Sequence, residues 1–146
     1  MFSVDSNDST YESSRTLGEY LLFHYGSEDE QFPWARGPKE ALGFPLRSVD
    51  ELMDVSSRVD SALDLGCAVG RSSFLLADRC TRVLGIDYSQ VFISTAQSIL
   101  ENGCFAYSYQ EEGIYWKKGM VRVDKRPDNL TFEEGDACLL SSDLGC

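Results

Sequence analysis

The sequence predicts an α/β fold with a parallel β-sheet, and one stretch in the middle of the chain carries this prediction. Two short apolar runs, residues 62–65 and 83–86, have the length and composition of buried parallel strands. Residues 71–78 between them can form a helix, which follows a turn bracketed by Gly66 and Gly70. Strand, glycine turn, helix and strand together form one β-α-β unit.

The region before this unit is expected to form helices that cover it. From about residue 11, Leu17, Leu21, His24 and Tyr25 recur at helical spacing and form one apolar stripe that ends at Gly26. Prolines and glycines predict irregular structure over residues 31–46. The sequence Ser-Val-Asp-Glu at 48–51 is a capping-box pattern, which predicts a second helix running to about residue 57.

The region after the unit predicts a helix, a hairpin and a third strand. Ser89 can cap the helix, whose buried face recurs at helical spacing up to residue 100 and which ends at Gly103. Alternating residues over 104–123 predict a β-hairpin, and residues 130–133 predict a third short strand after a proline turn. We therefore expect an N-terminal helical cap (residues 1–60) and a sheet-forming part (61–146) within one structural domain.

Composition and charge narrow the function classes. The chain has 146 residues, of which 42% are hydrophobic and 25% charged, as expected for one soluble globular domain. No apolar run approaches the ~20 residues of a membrane span. The net charge of −11, from 13 basic and 24 acidic residues, opposes binding to nucleic acid or to an anionic membrane. A small-molecule substrate is the expected partner.

The cysteines indicate a reducing compartment. Their number is five, which is odd, no pair has the Cys-x-x-Cys spacing, and the single histidine is His24. This pattern argues against a disulfide framework and against a structural zinc site. The sequence therefore predicts reduced thiols, a cytoplasmic protein and no metal.

The chemistry of the central unit points to a nucleoside-containing ligand. A glycine at the end of the first strand lets the backbone approach a ligand closely, and the helix that follows favours a negatively charged group. Asp87 ends the second strand and can accept hydrogen bonds from both hydroxyls of a ribose. The alternative, an α/β turn without a ligand, is disfavoured by the combination of Asp64 before the turn with Asp87 after it.

The glycine spacing disfavours a dinucleotide. The fingerprint Gly-x-Gly-x-x-Gly, counted from Gly66, requires glycine at positions 68 and 71, where the chain has Ala68 and Arg71. A nicotinamide-dependent oxidoreductase is therefore the weaker alternative. Cys67 within the turn is interpreted as a small residue that fits a tight bend rather than as a reactive thiol.

The spellings Leu-Asp-Leu-Gly-Cys-Ala-Val-Gly at 63–70 and Gly-Ile-Asp-Tyr-Ser at 85–89 resemble the first two motifs of class I S-adenosylmethionine (SAM) methyltransferases. The resemblance implies a Rossmann-like fold in which the glycine turn lies under the methionine part of SAM and the acid holds the ribose. It also implies that an acid past the third strand accepts from the adenine amine. The implied cofactor-binding residues are Asp64, Gly66, Cys67, Ala68, Gly70, Asp87, Tyr88, Asp136 and Ala137.

A closer resemblance covers essentially the whole chain. Residues 11–15, 19–26, 62–74, 85–89, 112–113 and 132–138 are similar to the mercaptohistidine N-methyltransferase domain of ovothiol-biosynthesis (5-histidylcysteine sulfoxide synthase) proteins. This resemblance implies methyl transfer from SAM to an imidazole nitrogen of a thiohistidine, with no metal and no assigned catalytic base. Because related methyltransferases cover the pocket with the N-terminal helix, the candidate substrate residues are Tyr11, Arg15, Tyr20 and His24.

The number of strands raises an alternative. Class I methyltransferases have seven strands with the first in the middle, whereas only the N-terminal half of such a sheet, strands one to three, is readable here. The first strand is then expected to have an unpaired edge, which invites pairing with another chain. The competing hypotheses are therefore an active N-methyltransferase, a truncated non-catalytic SAM-binding fragment, and a half-site completed by a partner chain.

Overall fold

The computed structural model describes residues 13–54, 56, 59–140 and 144. The helices are α1 (Ser14–Tyr25), α2 (Glu28–Gln31), α3 (Phe44–Leu52), α4 (Arg71–Ala77) and α5 (Gln90–Asn102), with a 3-10 turn at Lys39–Ala41. The strands are β1 (Val59–Leu65), β2 (Cys80–Asp87), β3 (Cys104–Glu112), β4 (Tyr115–Arg122) and β5 (Leu130–Glu134). None of the described helices is long and apolar enough to cross a membrane.

The predicted parallel sheet is confirmed. Its strand order is β1-β2-β5, and both neighbouring pairs run parallel, with Leu63 opposite Leu84 and Gly85 opposite Phe132. The fold is a Rossmann-like α/β fold, with three parallel strands and an N-terminal helical segment. Within the described residues β1 pairs only with β2, so its other edge is unpaired, as the sequence predicted.

One aromatic ring lies in the core between the sheet and helices α4 and α5. The side chain of Phe132 is buried, and its ring centroid lies 6.0 Å from that of Phe74. A Cβ added at Gly70 would lie 2.5 Å from this ring, and one added at Gly85 would lie 2.7 Å from it. These two glycines therefore let the turn and strand β2 approach the ring closely.

The predicted hairpin is also confirmed, as the antiparallel pair β3-β4. Helix α1 packs directly on this hairpin at Gly18. The helix and the backbone carbonyl of Ser108 lie so close together there that a Cβ would not fit. Leu21, on the apolar stripe of α1, has no solvent exposure. This packing fixes the position of α1 relative to the central unit.

A serine side chain caps the beginning of α1. Ser13 is its N-cap, and the Ser13 Oγ accepts a hydrogen bond from the backbone N–H of Thr16 at 3.1 Å. Gly26 ends the helix as predicted, although its backbone is extended (φ −62°, ψ 148°). The predicted start near residue 11 lies outside the described residues.

The capping-box prediction at residues 48–51 is wrong. Helix α3 begins earlier, at Phe44, after Gly43 in a left-handed conformation (φ +68°), and Pro45 lies in its first turn. The fixed φ of proline suits a first helical turn, so the helix starts there. Ser48 lies inside the helix, where its Oγ donates to the carbonyl of Pro45 at 3.0 Å. The helix ends at Leu52 rather than near residue 57.

Candidate functional site

The turn between β1 and α4 is held against strand β2 by its backbone. The N–H groups of Gly66 and Cys67 both donate to the carbonyl of Ile86, at 2.8 and 3.1 Å. Gly66, Ala68 and Gly70 all have positive φ angles, of 72°, 48° and 82°. The left-handed region favours glycine, so Ala68 is held there by the surrounding bonds.

Asp87 supplies one of those bonds from the tip of β2. Its Oδ2 accepts from the backbone N–H of Ala68 at 2.9 Å, and its Oδ1 accepts from the N–H of Ser89 at 2.9 Å. Each carboxylate oxygen can accept more than one hydrogen bond, so both retain capacity for a ligand. The structure thus places Asp87 across from the glycine turn, as the sequence predicted.

The two glycines that bracket the turn have different surroundings. A Cβ added at Gly66 would meet no protein atom within 4 Å, whereas one added at Gly70 would collide with Phe132. Gly70 is therefore needed for packing. The space beside Gly66 is open and lies on the same end of the sheet as Asp87.

Asp64 is positioned by the first helix after the turn. The Oγ of Ser73, a fully buried residue of α4, donates to Asp64 Oδ2 at 2.6 Å. Burial raises the pKa of the Asp64 carboxyl, the hydrogen bond from Ser73 opposes this rise, and the charge of Asp87 adds to it. The contact that the structure shows for Asp64 is thus internal, between β1 and α4.

The thiol of Cys67 lies in a closed environment. Its side chain is 3% exposed, and burial raises the pKa of the thiol, with further contributions from the charges of Asp64 and Asp87. The thiolate is the nucleophilic form of cysteine, and this environment disfavours it. The interpretation of Cys67 as a small residue in a tight turn agrees with this environment.

Helix α1 contacts the turn through Tyr25. The Tyr25 hydroxyl donates to the carbonyl of Val69 at 2.9 Å, and the guanidinium carbon of Arg71 lies 5.1 Å from the centre of the Tyr25 ring. Sequence reasoning placed Tyr25 only on an apolar stripe and did not select Arg71. The sequence feature that could have indicated Arg71 was its position directly after Gly70, at the start of a helix.

The candidate substrate residues do not form one cluster. Arg15 lies on the surface and forms an ion pair with Glu19 at 2.9 Å. The ring of Tyr20 packs on Phe92 with centroids 4.5 Å apart. His24 lies 6.1 Å from Tyr20 between ring centroids, so these two residues are neighbours. Tyr11 lies outside the described residues.

The surroundings of His24 favour the neutral form of its imidazole. Its pKa is lowered from 6.5 to about 4, first by burial and then by the positive charge of Arg71. A neutral imidazole presents one N–H donor and one acceptor nitrogen. His24 can therefore serve as a hydrogen-bonding group without carrying charge near pH 7.

The loop after β5 begins beside Asp87. The N–H of Gly135 donates to the backbone carbonyl of Asp87 at 2.9 Å. Asp136 Oδ1 accepts from the N–H of Cys138 at 2.8 Å, and Ala137 is exposed. Tyr88 is 63% exposed next to Asp87. Most predicted cofactor residues thus lie at one end of the sheet, where strands β1, β2 and β5 terminate.

The comparison with protein families supports this interpretation of the site. Residues 63–115 match the model of the family described as a methyltransferase domain. The matching segment contains the glycine turn, Asp87 and the helices between the strands, and SAM is the cofactor consistent with it. No curated protein matches the chain.

Solved structures with a similar fold include three proteins that are longer than this chain. Phosphoethanolamine N-methyltransferase 1 of Haemonchus contortus, in complex with phosphoethanolamine and S-adenosylhomocysteine, is 16% identical, with a TM-score of 0.47 over 95% of this chain and 24% of that one. Coclaurine N-methyltransferase, bound to N-methylheliamine and SAH, is 13% identical, with a TM-score of 0.46 over 92% of this chain and 39% of the other. Precorrin 8w decarboxylase of Methanobacterium thermoautotrophicum is 27% identical, with a TM-score of 0.41 over 72% and 44%. The chain spans less than half the length of each.

Proposed function

We propose that this chain, whose residues 63–115 match the methyltransferase domain family, is a SAM-dependent methyltransferase that binds SAM between the glycine turn and Asp87. The observation that carries the proposal is the orientation of the Asp87 carboxylate, which is fixed by the N–H groups of Ala68 and Ser89 beside the open space at Gly66. A carboxylate fixed before the ligand arrives loses little conformational entropy on binding.

The ribose of SAM would lie against Asp87. Two neighbouring hydroxyls can donate to the two carboxylate oxygens, each of which already accepts one backbone N–H. Such charge-assisted hydrogen bonds are roughly twice as strong as neutral ones. Asp87 would therefore be the main residue that selects a nucleoside.

The rest of the cofactor would lie along the end of the sheet at which β1, β2 and β5 terminate. The methionine part would lie over Gly66, where no side chain blocks the backbone, with Cys67, Ala68 and Gly70 shaping the turn. The adenine would lie between Tyr88 and the loop after β5, where Asp136 can accept from its amine and Ala137 is exposed. Asp64 would support the turn through its bond to Ser73.

The finer proposal concerns the methyl acceptor, for which we infer an imidazole nitrogen of a thiohistidine. The sequence resemblance to ovothiol-type methyltransferases supports it. The neutral nitrogen attacks the methyl carbon in line with the methyl–sulfur bond, the electron pair of that bond goes to sulfur, and the resulting imidazolium loses its N–H proton to water. Positioning supplies most of the rate in such a displacement. Tyr11, Arg15, Tyr20 and His24 remain the proposed substrate residues.

We further propose that the unpaired edge of β1 receives a strand from another segment or chain. The edge presents backbone N–H and C=O groups without partners in the described part of the sheet.

The alternative function is that of a non-catalytic SAM-binding fragment, which would differ from the enzyme only in the absence of turnover. We also propose a cytoplasmic location, which is supported by the free thiols of Cys67, Cys80, Cys104 and Cys138, and a helical cap that ends near residue 60.

Binding and turnover are tested separately. Thermal unfolding with increasing S-adenosylhomocysteine should show stabilisation of about 2.7 kcal/mol at a concentration one hundred times the dissociation constant. NADH serves as the competing ligand, and tighter binding of NADH than of SAM would refute the proposal. Thiohistidine with SAM should then yield a methylated product by mass spectrometry, and histidine without the thiol is the control. SAM binding without product would favour the non-catalytic alternative.

A further inference from the structure

Two buried nitrogen atoms beside the candidate site have no hydrogen-bond partner among the described residues. They are Nε of Arg71 and Nδ1 of His24. The large majority of buried side-chain polar atoms in folded proteins are hydrogen-bonded, and leaving one unsatisfied costs about 1–3 kcal/mol. Two such atoms on neighbouring elements point to a polar ligand group that would complete their bonding.

Both side chains lie beside the ring of Tyr25. The guanidinium carbon of Arg71 lies 5.1 Å from the centre of the Tyr25 ring, and the imidazole of His24 lies 6.4 Å from it, between ring centroids. The hydroxyl of the same tyrosine donates to the carbonyl of Val69 within the turn. The three residues therefore form a cluster fixed to the turn that carries the proposed cofactor site.

No ion pair among the described residues neutralises the charge of this cluster. In the part of the chain that the structure describes, the ion pairs use other cations, namely Arg15, Arg47, Arg79, Lys117 and Lys125, and none includes Arg71. The electrostatic influence of Arg71 reaches His24, because its charge contributes to lowering the pKa of the imidazole. A half-buried guanidinium without an anionic partner favours an anionic ligand.

We propose that Arg71 and His24 form a recognition site for the carboxylate of an amino-acid group. Nε and a terminal nitrogen of a guanidinium form the planar fork that matches two carboxylate oxygens. The neutral imidazole adds an N–H donor at Nδ1 when its other nitrogen carries no proton. This proposal rests on the proposed function, which supplies two amino-acid groups: the methionine part of the cofactor and the methyl acceptor.

The surroundings favour a carboxylate over a phosphate. Only one cation lies in the cluster, and Asp64 and Asp87 flank the same turn. A doubly charged phosphate would be repelled by these acids and would have one guanidinium to neutralise it. A singly charged carboxylate matches the single positive charge.

The experiment uses two pairs of ligands, and only one member of each pair has a carboxylate. S-adenosylhomocysteine and 5′-methylthioadenosine share the nucleoside, and only the first has a carboxylate. L-histidine and histamine form the same kind of pair for the acceptor. Each ligand is titrated by calorimetry into the wild-type protein and into Arg71→Gln, Arg71→Lys and His24→Asn, with Arg79→Gln as the control arginine variant. Thermal unfolding checks that each variant is folded, and Arg71→Lys replaces Arg71→Gln if the latter is not.

If the carboxylate comes from the cofactor, Arg71→Gln should weaken S-adenosylhomocysteine binding by about tenfold or more, as expected for a lost charged hydrogen bond, and leave 5′-methylthioadenosine unchanged. If it comes from the acceptor, the same selective loss should appear between L-histidine and histamine. Equal losses within both pairs, or no loss in either, would overturn the carboxylate site. A wild-type protein that binds neither nucleoside would refute the proposed function. Titration of L-histidine and histamine without a nucleoside would then decide whether the carboxylate site exists.

Discussion

The backbone N–H of Ala68 donates to Oδ2 of Asp87 at 2.9 Å, and this bond joins the turn after β1 to the tip of β2. Ala68 has a φ of 48°, a conformation that costs an L-residue roughly 1–2 kcal/mol. The charge-assisted hydrogen bond offsets this cost. Asp87 therefore has a structural role in the turn in addition to its proposed role in ligand binding.

Replacement of Asp87 should affect both roles. We expect Asp87→Ala to weaken SAM binding by about 1–3 kcal/mol and to lower the free energy of unfolding by a similar amount, because two backbone N–H groups lose their acceptor. Calorimetric titration and denaturant unfolding measure the two effects. Glu133→Ala, at an exposed position of β5, is the matched acid control. Unchanged SAM affinity in Asp87→Ala would remove this residue from the site.

The two bracketing glycines should respond differently to alanine. Gly70→Ala should destabilise the fold by about 1–3 kcal/mol or more, because its Cβ would overlap the ring of Phe132 and its φ is 82°. Gly66→Ala should cost only about 1–2 kcal/mol from its backbone conformation, since its Cβ would enter open space.

That open space is where the cofactor is proposed to lie. Gly66→Ala should therefore weaken SAM binding by more than its loss of stability alone would suggest. Thermal unfolding with and without S-adenosylhomocysteine separates the two effects. A Gly66→Ala protein that is stabilised by the ligand as strongly as the wild type would contradict the proposed position of the methionine part.

Stability should depend on pH through His24. The pKa of its imidazole is about 4 in the folded protein against an ordinary 6.5, so the unfolded chain binds more protons between these values. The contribution of His24 is thus fully present above about pH 6.5 and is lost as the pH falls towards 4. Its upper bound is about 3 kcal/mol. Urea unfolding of the wild type and of His24→Gln across this range should show a smaller pH dependence in the variant, and parallel curves would refute it.

The described cysteines should differ in reactivity. Cys104 and Cys138 are exposed, whereas Cys67 and Cys80 are buried and burial raises the pKa of both of these thiols. We expect iodoacetamide at neutral pH to modify the exposed pair first, as measured at each site by mass spectrometry. The same reaction in denaturant is the control and should modify all four. Early modification of Cys67 in the folded protein would contradict its closed environment.

Local patterns in the sequence were sufficient to predict the β-α-β unit. Strands β1 and β2 follow from short apolar runs, helix α5 from its cap at Ser89, and the hairpin from its alternation, because each pattern reflects contacts between residues close in sequence. The capping box at Ser48 failed because Pro45, three residues earlier, started the helix first. Two local signals competed there, and the sequence alone gave no measure of which would prevail.

The sequence by itself determined that an acid follows a short strand across from a glycine turn, and this pattern is enough to indicate a nucleoside pocket. Only the tertiary structure decided how these parts meet. Tyr25 reaches Val69 across 44 positions, and Gln97 donates to the carbonyl of Phe132 across 35. The tertiary structure also buries Nε of Arg71 without a hydrogen-bond partner among the described residues. Such contacts depend on how helices pack on the sheet, which is set by the shape of the whole core rather than by the spacing of residues along the chain.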